Sequence, residues 1–368
     1  MIRVLVVDDS ALVRRILTHE LGKQPGIEVV GTAVDPYVAR TRIAELDPDV
    51  LTLDLELPRM DGLTFLEKIM TYAPMPVVVV SSLAPESSPM ATRALTLGAI
   101  AVVPKPDGST SVPESMDALA VAIRLAARSR PQRLEHRLRA PTPRGPGPVG
   151  ASHGGLAPPR PELLSETTDV VVAIGASTGG PVALERVLAE LPPTFPGVLV
   201  TQHMASAFTR QFAEHLARTT SLDVREAKDG DQVTRGRVLV APGGRHLELR
   251  RNGAHYVVRL GEGPPVHHVR PAADVMFRSV ARHAGANAIG VVLTGMGVDG
   301  AEGLLEMRRA GATTLVQDED SCVVFGMPHA ALRLGAADRA LPLDRIAREL
   351  VNEVSAASLQ AEGRRVAL

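Results

Sequence analysis

The sequence predicts two consecutive doubly wound α/β domains joined by a linker, and three observations carry that reading. Short apolar runs alternate with amphipathic stretches over residues 1–128, a Pro-, Gly- and Arg-rich stretch interrupts the pattern, and a second alternation begins at Asp169. A chain of 368 residues is also too long for one average domain. In the first region the apolar runs are Val4–Val7, Glu28–Gly31, Val50–Leu53, Val77–Val80 and Ile100–Val103, separated by helical patterns such as Ala11–Leu21 and Gly62–Met70. These make five β-α repeats. Residues 129–168 lose the periodicity, as in APTPRGPGPVG, and read as a solvated tether. In residues 169–355 the buried-strand runs are Val170–Gly175, Val198–Gln202, Val238–Ala241, Ala288–Thr294 and Thr314–Gln317, which predicts a mostly parallel sheet. Helical patterns begin near Pro181, Thr209 and Gly300, and residues 356–368 read as a C-terminal tail.

Composition narrows the function classes. Hydrophobic residues make up 45%, charged residues 22% and aromatics 2%, so the cores are built from Val, Leu, Ile and Ala. A formal net charge of −1 gives no bulk attraction to nucleic acid or anionic membrane. The single cysteine, Cys322, sits in the apolar SCVVFG and reads as a small core residue; one cysteine forms no internal disulfide, which suits a reducing cytosol. No apolar run approaches the roughly 18 residues of a membrane span, and the N-terminus lacks a signal-peptide pattern. A soluble, cytoplasmic protein is expected.

The first region places polar residues at the ends of its predicted strands, the edge where open α/β sheets carry their sites. Asp8 and Asp9 follow the first strand, Asp54 the third, Ser81 and Ser82 the fourth and Lys105 the fifth. A strand-end Asp is by itself often a helix cap. Carboxylates that converge, however, repel one another unless a hard cation such as Mg²⁺ sits among them. One carboxylate can then attack a phosphoryl donor, with a lysine and a hydroxyl to neutralise the product. The acidic pair, the Asp-x-x-x-Pro-x-x-Asp-Gly stretch in TLDLELPRMDG, the fourth-strand hydroxyl and the Lys-Pro pair resemble the response-regulator receiver family over about 125 residues. The resemblance implies a flavodoxin-like receiver domain with Asp54 as phosphoacceptor. It implies Asp8, Asp9, Asp54 and the Glu56 backbone carbonyl as Mg²⁺ ligands, Ser81 and Lys105 as switch residues, and a cis bond at Pro106. Val102 departs from the pattern, since receivers commonly carry an aromatic residue three before the lysine.

The second region opens on VVVAIGASTGGPVALERVL. An apolar strand ends at Gly175, small residues bracket Ser177, and Pro181 suits a helix start. Turns of this kind lift a hydroxyl from the sheet edge, with glycines taking the unusual backbone angles. The Gly-x-Ser-x-Gly match alone also fits a phosphate-binding turn. His203 follows a second strand and Asp299 a third. A serine needs a base, and the base works best when a carboxylate orients it, so Ser177, His203 and Asp299 form the first candidate triad. Ser177, Asp299 and His329 form the second, in the chain order of α/β-hydrolases.

Successive segments IGASTGGP, TQHM, FTRQFAEHL, VLVAPGG, VVLTGMGVDGAEGL and GMPHAA resemble the chemotaxis protein-glutamate methylesterase family, CheB, over roughly residues 170–335. The resemblance implies Ser177 as nucleophile, His203 as general base and Asp299 as its orienting acid, with no cofactor at the esterase site. Backbone N–H groups of Thr178 and Met296 are expected to form the oxyanion hole. The HHVRPAADVMF segment resembles the family's basic-Pro-acidic segment but departs in detail, with Val269 before Arg270-Pro271 where a His is common and His267 or His268 nearby to compensate. The implied substrates are methylated glutamates, and glutamines, on chemoreceptors. The implied phosphodonor is a histidine kinase of the chemotaxis type, with recruitment of the protein to receptor arrays. Three competing readings are a DNA-binding output, which lacks a basic helix-turn-helix pattern, a catalytically silent receptor scaffold, and an esterase of a non-chemotaxis pathway.

Overall fold

A computed structural model describes residues 1–81, 89–105, 112–131 and 170–366. Ser82, Pro106 and most of the expected linker lie outside the described residues. The first domain alternates β1 (Ile2–Val7), α1 (Ala11–Leu21), β2 (Ile27–Ala33), α2 (Pro36–Leu46), β3 (Val50–Leu53), α3 (Gly62–Tyr72), β4 (Val77–Ser81), α4 (Pro89–Thr96), β5 (Ala101–Pro104) and α5 (Val112–Ala126). All its strand pairs are parallel, in the order β2-β1-β3-β4-β5. The apolar runs become strands because both sheet faces are covered; all four residues of β3 and all five of β4 are buried. Side-chain caps start the helices: Ser10 accepts from Val13 N, Asp35 from Tyr37 N and Val38 N, and Asp61 from Thr64 N.

The second domain continues with β6 (Val171–Ala176), α6 (Gly180–Ala189), β7 (Gly197–Gln202), α7 (Ser206–Thr219), β8 (Asp223–Glu226), β9 (Arg237–Val240), β10 (His246–Asn252), β11 (His255–Gly261), α8 (Ala273–His283), β12 (Ala288–Val292), α9 (Ala301–Arg309), β13 (Thr313–Gln317), α10 (Met327–Arg333), β14 (Arg339–Leu341) and α11 (Leu343–Val366). Seven parallel strands run in the order β14-β13-β12-β6-β7-β9-β8. The five expected strands sit inside this sheet. The edge strands β8 and β14 carry charge, as in DVRE, and do not read as apolar runs. β10 and β11 form a separate antiparallel hairpin through a two-residue loop that begins at Gly253, where φ is 59°. The expected tail boundary at residue 356 falls inside α11, which continues to Val366.

Both sheets reverse their strand order beside the first strand of the domain, between β1 and β3 and between β6 and β12. A crevice opens at such a point, and open α/β sheets bind their ligands there. In the second domain the crevice is narrow because α8 packs hard against the sheet. A Cβ on Gly175 would fall 2.8 Å from the Ala273 Cβ and 3.2 Å from the Phe277 ring, and one on Gly303 would fall 2.8 Å from the Phe277 Cβ. Phe277 is fully buried and fixes the height of α8 above the sheet. Truncation, Phe277→Ala, is expected to cost about 3–5 kcal/mol, read as a lower urea midpoint for the full chain.

Candidate active site and phosphorylation site

Ser177 and His203 stand at the ends of neighbouring strands. β6 and β7 pair in register through Ala176 and Gln202, so the residue that follows each lies beside the other. The His203 N–H donates to the Ala176 carbonyl at 3.0 Å, and the Ser177 N–H donates to the Thr294 carbonyl beyond β12 at 3.0 Å. Gly179 lets the chain turn from strand to helix with φ 78°. Gln202 locks the two loops together: its Nε2 donates to the carbonyls of Ser177, at 2.9 Å, and of His203, at 3.0 Å. A Cβ on Gly180 would fall 2.0 Å from Gln202 Oε1, which is why glycine starts α6.

Asp299 reaches the same crevice from the loop after β12. Its Oδ2 lies 2.7 Å from His203 Nε2. The same oxygen accepts from the Ala273 N–H at 2.6 Å, and Oδ1 accepts from the Asp274 N–H at 3.0 Å. The carboxylate therefore caps the N-terminus of α8, where helix-end N–H groups favour negative charge. Burial by itself pushes the Asp299 carboxyl up. The His203 hydrogen bond and charge, with the two α8 N–H groups, outweigh it and hold the carboxyl below its ordinary range. A carboxylate on Nε2 selects the tautomer with a proton there, leaving Nδ1 to act as base. His329 is elsewhere: it lies on α10 with its ring 5.6 Å from that of Phe325. The structure thus brings His203, and not His329, to Asp299. Among the described residues the N–H groups of Thr178 and Met296 make no hydrogen bond. Cys322 is buried, and burial pushes its thiol up to about 12, which removes it as a nucleophile.

Three side chains that sequence reasoning passed over complete the site. Gln202 and Thr294 fix the loops; the Thr294 hydroxyl donates to the Thr178 carbonyl at 3.0 Å. Asp274 is fully buried and pairs with His267 at 2.9 Å. A polar residue inside a strand-end motif, as in TQHM, was the available signal for Gln202.

In the first domain Asp8, Asp9 and Asp54 each bring one carboxylate oxygen within 4.8 Å of the others. The Lys105 ammonium lies 2.7 Å from Asp54 Oδ2 and 2.8 Å from Asp8 Oδ2. The second contact is an ion pair without hydrogen-bond geometry, so Asp8 Oδ2 is buried with a charge beside it and no hydrogen bond. Burial pushes the Asp54 carboxyl above its usual range, partly offset by Lys105 and the Glu56 N–H. Burial would lower the Lys105 ammonium, but its hydrogen bond to Asp54 and its ion pair with Asp8 dominate and raise it. Ser81 is buried at the end of β4, and its carbonyl accepts from the Lys105 N–H at 2.8 Å. Three clustered carboxylates, one with an oxygen lacking a hydrogen bond, fit a hard divalent cation.

The two domains meet beside Ser177. α4 packs on α6 and α7, where the Thr92 hydroxyl donates to Gln211 Oε1 at 3.1 Å. The Arg130 N–H donates to the Val323 carbonyl at 2.8 Å. A cleft of about 260 Å³ is lined on one side by Ser177, Gln202 and His203 and on the other by Leu95, Ile100 and Val102. The residue in the usual aromatic position of a receiver therefore lies over the serine.

Comparison with known proteins gives a family for each of the two domains. Residues 172–350 match the CheB methylesterase family model, and residues 4–116 match the response regulator receiver domain model. The chain is 56% identical over 350 residues to protein-glutamate methylesterase/protein-glutamine glutaminase 4 of Anaeromyxobacter dehalogenans (strain 2CP-C), covering 95% of this chain and 94% of that protein. The chain belongs to the CheB family. Two further relatives of that family name are as broadly similar. One, from Syntrophus aciditrophicus (strain SB), is 50% identical over 96% of this chain and 99% of its own length. The other, from Bdellovibrio bacteriovorus (strain ATCC 15356 / DSM 50701 / NCIMB 9529 / HD100), is 48% identical over 96% and 97%. No helix among the described residues is long and apolar enough to cross a membrane.

The lowered pKa of the Asp299 carboxyl carries a stability prediction. A carboxyl whose folded pKa lies below its unfolded value stabilises the fold above the unfolded pKa, and that stabilisation fades as pH falls through the folded pKa. The wild-type advantage over Asp299→Asn in urea unfolding is expected to be full at neutral pH and to shrink below about pH 4.

Proposed function

We propose that this CheB-family chain is a phosphorylation-switched serine hydrolase that removes methyl groups from γ-glutamyl methyl esters of chemoreceptors and deamidates glutamines there. One observation carries the reading: Ser177 and His203 end adjacent strands, with Asp299 bonded to His203, under a wall contributed by the receiver domain.

Ser177 attacks the ester carbonyl while His203 Nδ1 takes its proton, and Asp299 steadies the resulting imidazolium. The unused N–H groups of Thr178 and Met296 supply the oxyanion contacts. Methanol leaves with the proton from His203; water, deprotonated by the same base, then cleaves the acyl-serine to give glutamate. An amide follows the same route with ammonia as leaving group. Base and acid help of this kind is worth about 10²–10⁴-fold. Substrate helices in the cytoplasm, within receptor arrays, match a chain that has no membrane-crossing helix among the described residues.

Phosphorylation of Asp54 by a chemotaxis-type histidine kinase is the regulatory input of this reading. Asp8, Asp9, Asp54 and the Glu56 carbonyl would hold Mg²⁺, which when bound supplies positive charge to the phosphoryl oxygens. Asp54 is already paired with Lys105, and Lys105 directly follows β5, which carries Val102 in the cleft. A phosphoryl group on Asp54 re-sets the Lys105 and Ser81 bonds, and β5 passes that change to the wall over Ser177. The covered serine is the resting state, and the phosphorylated protein opens it.

Ser177→Ala is expected to abolish methanol release from methylated receptor membranes, leaving at most about 10⁻³ of the wild-type rate. Release equal to wild type would remove the hydrolase reading. Asp54→Asn is expected to keep the basal rate and to lose stimulation by acetyl phosphate, measured in the same assay.

A further inference from the structure

We propose that His267 and Asp274 form a second histidine–carboxylate pair that sets the charge behind Asp299, making both of them positioning residues for the base His203. The inference rests on the assignment of Ser177, His203 and Asp299 given above.

The four residues form one connected row, joined at Asp274 through its backbone N–H. His203 bonds Asp299, Asp299 Oδ1 accepts from the Asp274 backbone N–H at 3.0 Å, and the Asp274 side chain bonds His267 Nε2 at 2.9 Å. The second Asp274 oxygen accepts from the Gly303 N–H at the start of α9, at 2.7 Å. Asp274 is completely buried, whereas the His267 side chain is 33% exposed and can exchange protons with solvent. Single ligand atoms of His267, Asp274 and Asp299 lie within 4.8 Å of one another. Two anionic carboxylates at that spacing, away from water, strongly favour a nearby cation.

The turn that carries His267 shows a second, independent sign. Val266 and Val269 exchange both backbone hydrogen bonds, at 3.1 and 3.0 Å, leaving His267 and His268 as a two-residue loop. Their φ values are 50° and 64°. A loop with positive φ at both positions favours Asn-Gly, not two histidines. Non-glycine residues persist in that conformation where the surroundings over-determine them, and such places cluster at functional sites. Here the Asp274 bond holds His267. The same two histidines line, with His203, Met296 and Asp299, a surface pocket of about 260 Å³.

The other charged groups facing the row are few. Arg278 of α8 has its guanidinium 4.0 Å from Asp274 Oδ2 and is itself held by Glu302 and Glu306 of α9. His268 stands beside His267 in the turn, and His203 and Asp299 close the other end. Burial raises the Asp274 carboxyl and the Asp299 charge adds to that, against the Gly303, His267 and Arg278 contacts. An ionised Asp274 adds negative charge behind Asp299 and a charged His267 offsets it, so the pair sets the field in which His203 sits.

The test is the pH dependence of kcat/KM for methanol release by the full-length protein with saturating acetyl phosphate. Its acid limb reports the base in the free enzyme. Asp274→Asn keeps an acceptor for Gly303 and removes the charge, so the limb is expected to move down by about half a pH unit or more. His267→Gln removes the titratable partner, so the limb is expected to move up by about as much. H267N/H268G gives the turn its preferred residues and guards against a folding failure; it is expected to melt cooperatively like the wild type and still move the limb up. Opposite shifts establish the pair as positioning residues. Lower rates with an unmoved limb in all three variants reduce the pair to a structural strut and overturn the proposal. Activity retained by Ser177→Ala would instead remove the triad on which the proposal stands.

Discussion

The carboxylate of Asp299 is the joint on which the esterase domain depends. It satisfies two N–H groups at the start of α8 and at the same time holds His203. A buried charge is costly unless it is paired and hydrogen-bonded, and each partner here supplies part of that requirement. The geometry of His203 is therefore set by helix packing, not by a flexible loop. α8 cannot shift without unpairing Asp299, and Asp299 cannot shift without misaligning His203.

That dependence explains the small residues around the crevice. α8 must come close to β6 and β12 for its N-terminus to reach Asp299, and Gly175, Gly300 and Gly303 make room for Ala273 and Phe277. Gly295 does the same beside Ser177, where a Cβ would fall 2.7 Å from the Ser177 Cβ. The first domain applies the same logic to charge instead of packing. Its strand ends gather Asp8 and Asp54, and Lys105 returns from β5 to neutralise them. Both sites stand at a reversal of strand order, the position where a parallel sheet leaves an open crevice.

Much of this was legible in the sequence because it is encoded locally. Buried parallel strands are continuous apolar runs, and helix caps are single residues, so the ten strands of apolar character and the strand-end residues Asp8, Asp54, Lys105, Ser177 and His203 could be placed from the order of the letters. β8 and β14 were not, because an edge strand needs little apolar surface and DVRE carries three charges. The hairpin of β10 and β11 was missed although a glycine, Gly253, opens its two-residue loop. The choice between His203 and His329 rested on resemblance in the sequence; in the fold it rests on which ring meets Asp299. Asp274 and Gln202 escaped because their roles exist only after separate strands and helices are brought together. A buried Asp in the first turn of α8 reads as an ordinary helix-start residue.

The least conventional residue of the receiver also has a place in the fold. A side chain at position 102 lies against the Ser177 cleft, not on a free surface. An aromatic ring there would have to share about 260 Å³ with Ser177, His203 and the neighbouring loops, and the compact, stiff valine leaves that volume open while still presenting an apolar wall. Its β5 neighbour Val103 is buried in the receiver core, and Lys105, just past the strand end, reaches Asp54. One short strand therefore touches the acidic cluster at its end and the serine cleft along its flank. Rigid strands transmit small displacements because their packed surroundings do not deform continuously. On that geometry a link between the two sites would need no rotating ring; the four residues from Val102 to Lys105 already span the distance.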